Sequence, residues 1–321
     1  MTFDWAGIRS RLDTFWAALP PEVRILSRWS QSRRFPEVTY LREELLGSYK
    51  ARKYLSLLPW LEAQGHARVL VHGSTHSGNV TQLGLELRER GLEPFFRRGG
   101  RGGPPAGNLL LSQLVYGTNF DSAEPGVDFE IPEGGSCPPA LAGSLGLVGS
   151  LVEQALERKI WKPDIFIDSG TGFTAAALLS GLAYFELPCR VVVVSMTGQS
   201  KSELLEQLLA QRPEYERLLQ RPASAVDFEV VPPPVGPSFG SLPTAALEEV
   251  AEFARWEGIL VDPLYAAKLS LLYQSRRDPE RPAFIFVSGG ARELLCFQGP
   301  LRKWLTSKPL PTQPSSVTKV L

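Results

Sequence analysis

Gly47-Ser48-Tyr49-Lys50-Ala51-Arg52-Lys53-Tyr54-Leu55 is the stretch around which the 321-residue chain is organised. Lys50, Tyr54 and Leu57 recur at helical spacing, which places Lys50 in the first turn of a helix ending near Gly65. A lysine by itself is ordinarily a solvated surface residue. Three later loops give this one a context: His72-Gly73-Ser74-Thr75-His76-Ser77-Gly78-Asn79, Asp168-Ser169-Gly170-Thr171-Gly172-Phe173-Thr174 and Val287-Ser288-Gly289-Gly290. The first sets hydroxyls and an amide at the start of a helix. The second is glycine-rich, so its backbone N–H groups can turn toward an anion at the positive end of the following helix. The third is a hydroxyl followed by two flexible residues. An amine, an anion cradle and a polar helix start together fit pyridoxal phosphate.

Taken alone, the second loop is weaker evidence, because strand-to-helix turns often carry glycine for conformational reasons. It lacks the Gly-x-Gly-x-x-Gly spacing of a dinucleotide site, and no lysine follows its last glycine as a Walker loop requires.

The flanking pattern sets the fold class. Residues 67–71, 164–168, 190–195 and 283–287 read as buried strands, and helices are expected over 80–90, 145–158, 175–182, 201–210 and 244–256. Strand alternating with helix predicts an α/β protein of mostly parallel sheets flanked by helices. Two lobes are expected: a large one from 1–40 and 160–307 that includes the glycine-rich cradle, and a small one from 41–159 that carries Lys50 and the hydroxyl-bearing loop 72–79. The Pro-, Ser- and Thr-rich 308–321 reads as a flexible tail. Ile8, Leu12, Phe15, Trp16 and Leu19 form a short amphipathic lead-in that packs on a neighbouring lobe. The run from Phe95 to Pro105, with Arg97-Arg98-Gly99-Gly100-Arg101, reads as a mobile surface loop.

At 43% hydrophobic the chain can bury a large core, and its 34 basic and 34 acidic side chains cancel. Zero net charge gives no long-range attraction to nucleic acid or an anionic membrane, so a small neutral ligand or zwitterion fits better. The apolar runs are too short for a membrane span and the first residues lack a signal pattern, so a cytoplasmic protein is expected. Cys137, Cys189 and Cys296 are far apart and odd in number, which suggests free thiols. His72 and His76 have a metal-compatible spacing but flank Gly73-Ser74-Thr75, a loop, so no metal is expected.

The order of these landmarks resembles the fold-type-II pyridoxal-phosphate enzymes, and within them the aminocyclopropane-carboxylate deaminase and D-cysteine desulfhydrase family. Arg42-Glu43-Glu44-Leu45 and Lys50-Ala51-Arg52-Lys53 are similar to that family's Arg-Asp-Asp-Leu and Asn-Lys-x-Arg-Lys segments. Gly107-Asn108-Leu109-Leu110-Leu111, Asp262-Pro263-Leu264-Tyr265 and Ser288-Gly289-Gly290 resemble three further landmarks. The resemblance implies Lys50 as Schiff-base lysine and proton shuttle, with the phosphate held by Ser169, Gly170, Thr171, Gly172, Phe173 and Thr174. Asn79 would bond the cofactor's ring hydroxyl, and Ser74, Thr75 and Ser77 the substrate carboxylate, Ser77 being also capable of simple helix capping. Gly78 departs from the deaminase branch, in which asparagine follows the serine directly.

Two further departures bear on substrate. Where cyclopropane-opening deaminases carry a tyrosine and a glutamate, the matching positions hold Phe239 and Ala266, which have neither a phenolic proton nor a carboxyl for the pyridine nitrogen. Ser288 is then the candidate hydroxyl at that nitrogen, and a hydroxyl partner leaves the ring neutral, a weaker electron sink that suits elimination. The resemblance therefore implies a homodimeric lyase or deaminase that takes a small amino acid, D-cysteine or a related β-substituted one. It would yield a 2-oxo acid and ammonia, with Tyr265 stacking on or protonating the reacting group. β-Replacement or racemisation on the same scaffold, and a cofactor-binding protein without turnover, are the alternatives.

Overall fold

Ile8, Leu12, Phe15 and Trp16 build a full helix, α1 (Trp5–Ala18), whose start is capped by the Asp4 carboxylate accepting the Gly7 N–H at 2.9 Å. The computed structural model describes residues 4–74, 77–99, 107–121, 126–238 and 240–307. After α1 come β1 (Trp29–Gln31), β2 (Val38–Leu41), α2 (Ala51–Ala63), β3 (Arg68–Ser74), α3 (Gly78–Glu89), β4 (Glu93–Gly99), α4 (Asn108–Tyr116), β5 (Phe129–Ile131) and α5 (Leu141–Glu157). The second half adds β6 (Asp164–Ser169), α6 (Phe173–Phe185), β7 (Arg190–Ser195), α7 (Lys201–Leu219) and β8 (Phe228–Val231). It closes with α8 (Thr244–Glu252), α9 (Ala266–Arg276), β9 (Ala283–Phe286), α10 (Ala291–Leu295) and α11 (Gln298–Ser307).

The larger sheet has the order β1-β2-β9-β6-β7-β8, parallel except at its edge strand β1. The smaller, β4-β3-β5, is parallel throughout. This is the two-lobed α/β architecture that the alternation predicts. Strands β6 and β9 are buried along their whole length, which is why they read as unbroken apolar runs.

One expectation fails in the smaller sheet. The segment read as the start of a mobile loop is strand β4, paired with β3 from Arg68↔Glu93 to Ser74↔Gly99. Phe95 and Phe96 within it are buried, and the charged run that follows them obscured the strand signal. Residues 100–105 of that run, and the tail 308–321, lie outside the described residues.

Helix α5 packs against α2, α1 and α6. Gly143 lies where it meets α2 and Gly149 where it meets α1: a Cβ at Gly143 would stand 2.0 Å from the Arg52 carbonyl oxygen, and one at Gly149 2.4 Å from the Trp16 ring. Bare backbone at these positions lets both helices approach α5 closely, and α5 packs in turn on α6. The start of α2 is fixed again by a fully buried ion pair, Arg52 Nε to Glu43 Oε2 at 2.6 Å. The remaining Arg52 donors reach the Ile25 carbonyl at 2.7 Å and the Ser27 hydroxyl at 2.9 Å. Satisfying the guanidinium so completely is what makes its burial tolerable. Among the described residues, no helix is long and apolar enough to cross a membrane.

Candidate active site

The carboxyl ends of β3, β6, β7 and β9 converge on one cavity of about 550 Å³, the place where parallel α/β sheets bind ligands. Behind β3 it is lined by Ser74, Ser77, Gly78 and Asn79, and behind β6 by Asp168, Gly170 and Thr171. Thr197 follows β7, and Ser288 and Gly289 follow β9. Lys50 enters from the start of α2 and Tyr265 from the start of α9.

Lys50 is the residue immediately before α2 and not in its first turn. Its N–H donates to the Ser48 hydroxyl at 3.1 Å, and its amine lies 5.2 Å from the centre of the Tyr265 ring. Burial, with Asp168 and Asp262 nearby, pushes the Tyr265 phenol far above its ordinary pKa, so it keeps its proton.

At the anion cradle the structure separates the predicted residues into two groups. Gly170 and Thr171 face the cavity, and Gly172 holds the left-handed backbone, φ +85°, that opens α6. No side chain caps α6, so its first N–H groups remain available to an anion. The Ser169 hydroxyl instead donates to Gln199 at 3.2 Å, the Phe173 ring lies under the Lys53 amine, and Thr174 Oγ1 is buried without a partner.

Lys53 was missed in the sequence as a site residue, although it sits one turn beyond Lys50 in the quoted motif. Its amine is buried 4.7 Å from the centre of the Phe173 ring and donates to the Gly134 carbonyl at 2.6 Å. A Cβ on Gly134 would lie 2.9 Å from Thr171 Oγ1, so Lys53 stands behind the cradle. Burial, and then the Lys50 charge, lower its pKa to about 7.

Across the cavity, the Tyr54 hydroxyl donates to Asn79 Oδ1 at 2.6 Å, which leaves Asn79 Nδ2 buried with no partner. Ser77 precedes α3 yet makes no capping bond, so the capping role that its position allowed is not used. Gly78 opens α3, and a Cβ there would come within 2.9 Å of Glu293 Oε1. Thr75 and Phe239 lie outside the described residues. His72 faces Glu130 at 3.0 Å.

Two buried carboxyls were also missed as site residues. Asp262 accepts the N–H groups of Leu264 and Tyr265 at 2.8 and 2.7 Å and of Ala266 at 3.2 Å, and burial raises its pKa to about 6. Asp168 accepts the Tyr49 hydroxyl at 2.8 Å, and burial raises its pKa as well.

The fold is that of the fold-type-II pyridoxal-phosphate enzymes. It superimposes with a TM-score of 0.77 on the crystal structure of an ACC deaminase homologue, covering 92% of this chain and 99% of that one at 21% identity. Maize serine racemase aligns with a TM-score of 0.54 at 14% identity over 89% of this chain and 94% of its own. In sequence, the chain is 26% identical over 304 residues to a Thermotoga maritima protein provisionally named 1-aminocyclopropane-1-carboxylate deaminase, covering 84% of this chain and 94% of the relative. It is 27% identical over 176 residues to D-cysteine desulfhydrase of Salmonella paratyphi B, 53% of this chain and 52% of the relative. No family model matches the chain.

The donor set fits pyridoxal phosphate on its own terms. The cofactor needs an amine, a seat for a phosphate dianion and a donor for its ring oxygen. Lys50, the uncapped α6 start backed by Lys53, and the unpartnered Asn79 Nδ2 offer these around one cavity.

Proposed function

We propose that the chain is a pyridoxal-phosphate enzyme, a lyase or deaminase of small amino acids. In this reading its reaction is β-elimination from D-cysteine or a related β-substituted amino acid to give a 2-oxo acid and ammonia. The observation that carries it is the meeting of Lys50, the α6 start and the Ser74 and Ser77 hydroxyls at a single cavity. When bound, the cofactor supplies an electron sink for charge developing at the α-carbon. The Lys50 amine would take the α-proton. Ser74, Ser77 and the first N–H groups of α3 hold the substrate carboxylate. Tyr265, held protonated by its surroundings, stands beside the Lys50 amine to stack on the departing β-substituent or give it a proton. Hydrolysis of the released enamine completes the balance. Opening of a cyclopropane is left out of the assignment, because Ala266 has no carboxyl. A cytoplasmic homodimer accompanies this reading, and light scattering tests the dimer.

The deciding experiment is the visible spectrum of the purified protein beside Lys50→Ala, with borohydride reduction and peptide mapping. Yellow protein whose reduced adduct maps to Lys50, together with 2-oxo acid released from D-cysteine or β-chloroalanine, supports the assignment. Protein that stays colourless with added pyridoxal phosphate overturns it, and a new amino acid in place of a 2-oxo acid replaces elimination with β-replacement.

A further inference from the structure

Asp168 Oδ1 and Ser288 Oγ are buried at the cavity wall, and neither has a hydrogen bond. Asp168 is 1% exposed near the end of β6, and Ser288 is 6% exposed just beyond the end of β9, the neighbouring strand. Ser288 stands close enough to the Asp168 carboxyl to oppose the upward push of burial on its pKa. The other Asp168 oxygen is already engaged by Tyr49 at 2.8 Å. Both oxygens of Asp262, the second carboxyl on this wall, accept backbone N–H groups. Asp168 Oδ1 is therefore the uncommitted acceptor, and the Ser288 hydroxyl, which acts on the Asp168 carboxyl, is the donor beside it.

A hydroxyl has one proton to give and two lone pairs to receive with. If its proton goes to a carboxylate, only its lone pairs are left for the cavity. We propose, on the strength of the cofactor reading above, that Asp168 orients the Ser288 hydroxyl as an acceptor, so that Ser288 holds a proton on the pyridine nitrogen of the bound cofactor. Asp168 acts here as a positioning residue. A phosphate seated at the turn that follows Asp168 would leave the ring along the strand ends that carry Asp168 and Ser288, both of which line the cavity. The groups facing Asp168 are Tyr49, Ser288, Lys50, Asp262 and Tyr265. Ser288 alone would donate to a neutral nitrogen. With Asp168 behind it the ring is cationic and the electron sink strong, which reverses the expectation drawn from Ser288 and Ala266 in the sequence. No bond is made or broken, and the ring proton comes from solvent as the cofactor loads.

The test is the 15N chemical shift of ring-labelled pyridoxal phosphate bound to wild type, Asp168→Asn and Ser288→Ala at neutral pH. The expected result is a pyridinium shift in wild type and neutral-pyridine shifts in both variants. A neutral ring in wild type overturns the proposal without recourse to any variant, and so does a pyridinium retained in Asp168→Asn. A pyridinium retained in Ser288→Ala overturns the relay through the hydroxyl. Borohydride fixation of the label is scored separately: label fixed at Lys50 with a neutral ring defeats this inference alone, whereas protein that takes up no label defeats the cofactor reading beneath it.

Discussion

The Tyr49 hydroxyl donates to Asp168 Oδ2 at 2.8 Å and lies 3.2 Å from the Asp168 carbonyl oxygen, tying the residue before Lys50 to the end of β6. The bond crosses from the lysine segment to the larger sheet. Together with the Glu43–Arg52 pair and the contact of α2 with α5, it fixes where the Lys50 amine can reach.

Tyr49→Phe keeps the ring packing and removes one donor from a buried carboxyl. The loss is expected to be about 1–3 kcal/mol, read from urea unfolding. The folded-state pKa of Asp168 is already raised, and losing Tyr49 raises it further, so the penalty falls on the ionised form. The gap between wild type and variant should be widest at neutral pH and shrink as the pH falls through the folded-state pKa of the carboxyl. A gap that does not change with pH would show that the bond does not stabilise the charge.

Lys53 gives a pH dependence of opposite origin. Its pKa falls from 10.5 unfolded to about 7 folded, so between these values the unfolded chain binds more protons and stability rises with pH. Below about 7 the cost of the buried charge is fully present. A phosphate dianion in the cradle restores the charged form, so binding takes up a proton and weakens as the pH rises above 7. Calorimetry with pyridoxine 5'-phosphate, which lacks the aldehyde and cannot attach to Lys50, isolates this effect. Lys53→Met should bind it roughly tenfold more weakly at pH 7, about 1.4 kcal/mol, with a flatter pH profile. Equal affinity in the two proteins would remove Lys53 from the phosphate site.

Much of this was legible in the sequence, and the omissions share a cause. The strands of the larger sheet are continuous apolar runs and the turns after them are marked by glycine, so Lys50 and its three loops could be placed. Asp168 and Lys53 stood inside the quoted stretches, but a charged residue reads as solvated until tertiary packing buries it. The Ser169 hydroxyl is diverted by Gln199, thirty positions away, which no local pattern announces. Strand β4 was hidden because its two buried phenylalanines are followed at once by Arg97 and Arg98. Helix α5 begins at Leu141, ahead of the expected start, because Gly143 lowers the local helix propensity while its missing side chain admits α2.

Glu43→Ala leaves the Arg52 guanidinium buried with only neutral acceptors. Removing one partner of such a pair costs about 3–5 kcal/mol, so the variant should unfold at much lower urea than wild type. Glu43→Gln keeps the shape and an acceptor and should fall between the two. If Glu43→Ala unfolds together with wild type, the pair is not what holds the start of α2.

Gly143→Ala separates two arguments by sign. Within a helix, alanine is preferred to glycine by about 1 kcal/mol, so propensity alone predicts a more stable protein. Contact predicts the reverse, since the new Cβ would lie 2.0 Å from the Arg52 carbonyl oxygen and 2.8 Å from its carbon. Both are backbone atoms of α2, so the clash cannot be relieved by turning a side chain; α2 must move away from α5. That movement strains the buried Arg52 and displaces Lys50, two residues earlier. Overpacking of this kind costs about 1–3 kcal/mol and more where backbone is involved, so a net loss of stability is expected in urea. The folded fraction should also form less borohydride-fixed adduct at Lys50. A variant as stable as wild type, with full labelling, would mean that the spacing between α2 and α5 is set elsewhere and does not govern where the lysine sits.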